Sequence, residues 1–120
     1  MKVKSVNIDV EQFQEEDIMV RHIVIWDFKE EYSEEEKEKY AIEIKSGLEG
    51  LVGVVPGLVE LKVYYGVDLI GKSCGELVLY STFESKKALE DYFPHPAHKK
   101  VGSEIVGPRI TNRRCADFVV

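Results

Sequence analysis

The sequence predicts an α+β fold in which a four-stranded antiparallel sheet carries its helices on one face. Three observations predict it. The hydrophobic patterns run strand, helix, strand, strand, helix, strand. Turn residues separate those runs at short intervals. The length of 120 residues, with 44% hydrophobic and 32% charged residues, suits one globular domain with a single core. This element order is that of a ferredoxin-like domain.

The first 18 residues stand apart, because Val6, Ile8 and Val10 alternate as in a short strand and the chain then turns acidic at Glu15, Glu16 and Asp17. They read as an N-terminal extension to a domain spanning 19–120. The run from Met19 to Phe28, MVRHIVIWDF, is rich in β-branched and aromatic residues. Alternation places His22, Val24, Trp26 and Phe28 on one face of this strand and Ile23 and Ile25 on the other.

Ser33 followed by Glu36 forms a capping box that starts the first helix. Its apolar stripe runs through Tyr40, Ala41, Ile44, Leu48, Leu51, Val52 and Val55, while Gly47, Gly50 and Gly53 weaken it toward the end. Pro56-Gly57 is a turn, LVELKVYYG a second strand, and ELVLYSTF a third after the polar break from Asp68 to Gly75. Glu84 to Tyr92 suits a short helix that Pro94 and Pro96 stop near Phe93, and a last strand is expected near Arg114 to Val119.

If the helices cover one face of the sheet, the other is bare, yet Ile23, Ile25, Val78 and Tyr80 make it apolar. Such a patch marks an association surface, so a homodimer formed through the sheet face is expected. The net charge of −6, from 22 acidic and 16 basic residues, argues against nucleic acid or an anionic membrane as partner. Two cysteines, no apolar leader and no apolar run of membrane-spanning length point to a reducing, cytoplasmic setting.

Chemistry concentrates in Asp91-Tyr92-Phe93-Pro94-His95-Pro96-Ala97-His98, which holds two of the three histidines and two of the four prolines. The prolines stiffen the turn that presents the imidazoles. Zinc wants three or four ligands, and only His22 remains as a further imidazole, so neither metal nor cofactor is expected. No nucleophile elbow or phosphate-cradling glycine loop is present, and Cys74 has no neighbouring base. A plain alternative makes one histidine a helix cap and leaves the other in solvent.

Arg21-His22-Ile23-Val24, Val55-Pro56-Gly57, Phe83-Glu84-Ser85 and above all His95-Pro96-Ala97-His98 resemble the stress-responsive dimeric α/β-barrel (Dabb) domain family. The resemblance implies two ferredoxin-like subunits whose sheets pack face to face into a dimeric α+β barrel. One branch, a plant polyketide cyclase, carries D-Y-x-x-H-P-A-H, matched by Asp91, Tyr92, His95, Pro96, Ala97 and His98. That match implies His98 as general base and Tyr92 as hydrogen-bond donor.

The leading expectation is a homodimer that binds a small apolar or aromatic molecule between helix and sheet, in a pocket lined by His22, Trp26, Tyr40, Tyr92 and His98. The alternative is a cofactor-independent enzyme, a polyketide cyclase, lyase or monooxygenase-like protein. A third reading is a structural stress protein whose pocket is filled by Trp26. In each ligand reading Tyr92 and His98 share one cavity and His95 serves the turn.

Overall fold

The computed structural model describes residues 18–120, so the strand expected at Val6 to Val10 lies outside the described residues. Strands β1 (Val20–Phe28), β2 (Leu58–Tyr65), β3 (Leu77–Phe83) and β4 (Ile110–Val119) form one sheet in the order β2-β3-β1-β4. All three pairings are antiparallel, with His22 opposite Ser81 on β3 and opposite Asp117 on β4. This is the expected ferredoxin-like sheet.

Helix α1 (Glu34–Glu49) begins at Ser33, whose hydroxyl accepts the Glu36 N–H while the Glu36 carboxylate accepts the Ser33 N–H. The helix stops at Glu49, earlier than its apolar stripe suggested. Leu51 and Val55 remain buried from the turns that follow, whereas Val52 is exposed. Gly47 has a packing role, because a Cβ there would sit 3.2 Å from both Val101 and Ile105 side chains. Along the outer edge of the sheet, Lys45 donates to the Val63 carbonyl at 2.9 Å and Glu49 accepts the Val63 N–H at 2.9 Å. Helix side chains thus satisfy edge backbone groups that would otherwise invite pairing with another chain.

Helix α2 (Lys86–Tyr92) is capped by Ser85 and ends where expected. The chain beyond it differs from the reading of a stiff turn running on toward β4. Pro96 starts a third helix, α3 (Pro96–Val101), which continues through a π-helical stretch (Gly102–Val106) and a 3₁₀ turn (Gly107–Arg109). Proline fits the first helical position because its missing N–H has no intrahelical acceptor there. The last strand accordingly starts at Ile110 rather than near Arg114.

The core lies between sheet and helices. Val24, Trp26, Phe28, Val63, Leu77, Leu79 and Phe83 from the sheet meet Ile44, Leu48, Leu89 and Tyr92 from the helices. On the opposite face Ile23, Ile25, Val78 and Tyr80 are only half-buried, and Tyr64 and Phe118 are exposed. Among the described residues no helix is long and apolar enough to cross a membrane.

Candidate functional site

A cavity of about 180 Å³ opens between the sheet and the segment that follows α2. Its apolar wall comes from Val24, Trp26, Leu79 and Ile110 on the strands, Leu48 at the end of α1, and Val106. Its polar groups are His22, Tyr92, His98 and Arg113. Four of the five expected pocket residues, His22, Trp26, Tyr92 and His98, therefore line one space. Tyr40 does not. It lies eight residues before Leu48 on α1, about 12 Å along the helix axis, where it packs against Tyr32 at 4.9 Å and under the Arg109 guanidinium at 4.1 Å.

His22 is positioned by strand pairing. Its carbonyl accepts the buried Ser81 hydroxyl at 2.9 Å, and its Nδ1 meets Asp117 Oδ1 at 2.5 Å across the β1–β4 ladder. A carboxylate only accepts, so Nδ1 carries the proton and Nε2 of the neutral ring keeps a lone pair. Burial pulls the imidazole below its usual pKa, against the raising pull of Asp117. Asp117 is the partner of a cavity residue that sequence reading missed, because the two lie 95 positions apart and only the strand register brings them together.

His98 reaches the cavity from α3. His95 makes this placement, since its Nδ1 accepts the Ala97 N–H at 3.0 Å and caps that helix. One turn of α3 then lays the His98 ring on Tyr92, with centroids 4.0 Å apart. His98 Nδ1 lies 3.1 Å from the Phe93 carbonyl, which again only accepts, so Nε2 is the lone-pair nitrogen. Burial also lowers the pKa of this imidazole.

The Tyr92 ring is buried, and burial pushes its phenol well above the ordinary pKa, so the hydroxyl stays protonated. No hydrogen bond among the described residues engages this hydroxyl or His22 Nε2. No fully buried side-chain nitrogen or oxygen among those residues lacks a partner either. What little surface these two residues retain therefore includes those atoms, available to whatever enters the cavity.

His22, Cys115 and Asp117 also place three potential metal-ligand atoms within 4.8 Å of one another. The 2.5 Å separation of His22 Nδ1 and Asp117 Oδ1 is that of a hydrogen bond, whereas two ligands on one tetrahedral zinc stand about 3.3 Å apart. The trio fits a hydrogen-bonded pair beside a thiol better than a coordination set. A larger groove of about 330 Å³ runs past the outer side of Phe93 and Asp117, and neither His22, Tyr92 nor His98 lines it.

The sequence profile of the stress responsive A/B barrel domain matches residues 20–120. The chain belongs to the stress responsive A/B barrel domain family. It is also 34% identical over 86 residues to olivetolic acid cyclase from Cannabis sativa, a match covering 69% of this chain and 79% of that protein. Among solved structures it resembles a dimeric ferredoxin-like protein from Bacteroides fragilis, with a TM-score of 0.74 and 25% identity over 85% of this chain and 96% of that one. A hydroxynitrile lyase from Passiflora edulis shares the fold, with a TM-score of 0.67 and 22% identity over 87% of this chain and 94% of the lyase. In this stress responsive barrel domain the His-Pro-Ala-His segment is thus both a helix start and one wall of the cavity.

Proposed function

We propose that the protein is a cytoplasmic homodimer whose cavity binds a small aromatic or apolar carbonyl compound and removes a proton next to the carbonyl without a cofactor. The observation that carries this reading is the convergence on one cavity of two imidazoles whose Nδ1 atoms are engaged by Asp117 and the Phe93 carbonyl and of one phenol with no hydrogen bond among the described residues. An imidazole whose pKa lies near or below neutrality is present as free base at neutral pH. His98 Nε2 takes the α-proton, the C–H electron pair moves into the carbonyl, and the Tyr92 O–H donates to the enolate oxygen as its charge grows. A phenol kept protonated by burial is suited to that donation. His22, oriented by Asp117, accepts a hydrogen bond from a ligand hydroxyl.

Likeness to a cyclase supports the proton-transfer reading, and likeness to a dimeric ferredoxin-like protein supports the homodimer. The half-exposed Ile23, Ile25, Val78 and Tyr80 give that dimer its surface. Both cysteines are exposed free thiols, consistent with a reducing compartment.

The test is hydrogen–deuterium exchange at the methyl group of acetophenone in D₂O near neutral pH, followed by NMR. The protein should accelerate exchange above buffer. His98→Gln should abolish the acceleration, and Tyr92→Phe should lower it by roughly 10²-fold or more. Binding seen as a change in Trp26 fluorescence without accelerated exchange would reduce the function to ligand binding. Neither binding nor exchange would leave only the structural role.

A further inference from the structure

We infer that Arg113 makes the cavity selective for aromatic carboxylates, an inference that rests on the ligand-binding reading above and adds the charge of the ligand. The cavity is lined by one guanidinium, and among the described residues that guanidinium has no counter-ion. Three carboxylates on β4 or paired with its neighbouring arginines are engaged elsewhere: Asp117 with His22 at 2.5 Å, Asp27 with Arg114 at 3.5 Å, and Glu43 with Arg109 at 2.5 Å. No described carboxylate forms an ion pair with Arg113. Its neighbour on the strand, Cys115, has its thiol pKa raised by burial and by Asp117 against the lowering pull of Arg113, so the thiol beside Arg113 is no counter-ion to it.

Arg113 is itself exposed while lining the cavity, so it stands at the rim. From there its charge acts on His22, Tyr92 and His98 alike. A guanidinium presents a planar fork of N–H donors that matches a carboxylate in a bidentate pair, and beside a partly desolvated pocket such a pair is stronger than in open water. The chain as a whole is negative, with a net charge of −6, which disfavours anions at long range. Selectivity for an anion must then come from a local cation, and Arg113 is the one placed at the cavity. The apolar wall of Trp26 and Leu79 suits an aromatic or hydrocarbon body behind the carboxylate.

Benzoate and benzamide test this directly, since they match in shape and differ in charge. Trp26 is the single tryptophan and lines the cavity, so intrinsic fluorescence reads occupancy. Benzoate should bind at least about tenfold tighter than benzamide. Arg113→Met, which keeps the apolar stem and removes the charge, should bring the two affinities within about threefold, chiefly by weakening benzoate. Equal affinities in the unaltered protein, or a benzoate preference that survives Arg113→Met, would overturn the inference while the pocket still binds. Failure of both probes to bind at millimolar concentration would overturn the ligand-binding reading, and this inference with it.

Discussion

At the scale of single residues, the two cavity imidazoles are set apart by their surroundings. Burial holds His22 and His98 below the ordinary value of 6.5, to which both return on unfolding. Below that pH the unfolded chain binds protons that the folded chain resists, so stability is full above about pH 6.5 and falls on acidification until the folded imidazoles also titrate. The melting temperature should drop between about pH 7.5 and 5.5, an interval above the carboxylate range. His98→Gln should drop less. A melting temperature that rises on acidification, or the same decline in both proteins, would count against this account. Tyr92 and His98, which both line one cavity, were singled out by the likeness of their proline-marked segment to a D-Y-x-x-H-P-A-H pattern. Asp117 and Arg113 were not, because nothing local distinguishes them from other charges on an exposed strand.

At the scale of elements, the strands and first two helices were legible from alternation, capping residues and turn dipeptides. Helix α3 was hidden by its own start signal. Pro96 was read as a stop, whereas it occupies the first helical position behind the His95 cap. Tyr40 was misplaced for a related reason, since a helical stripe gives the buried face but not which end of the helix meets the cavity. The cap makes a quantitative prediction: His95→Ala should cost about 1 kcal/mol by thermal or urea unfolding, and His95→Asn should restore most of it. If alanine is neutral, His95 is no cap of consequence and the placement of His98 has another cause.

At the scale of the whole molecule, one face of the sheet is covered by helices and the other carries Ile23, Ile25, Val78 and Tyr80 half-buried. Light scattering should give twice the 13.7 kDa chain mass at micromolar concentration, and Ile25→Asp, which puts a charge into that face, should give the single-chain mass. A monomer before the substitution, or a dimer unmoved by it, would place the interface elsewhere. The cavity also belongs to the whole fold, since β1, β4, α2 and α3 each supply one of its polar groups or the partner that orients it. At pH 7 His22 and His98 should both be neutral, with the proton on Nδ1 and the lone pair on Nε2. Long-range ¹H–¹⁵N correlation spectra of the intact protein read this directly. Two imidazoles in that tautomer, each titrating below pH 6.5, are the expected result; a proton on His98 Nε2, or a charged His98 at pH 7, would contradict it.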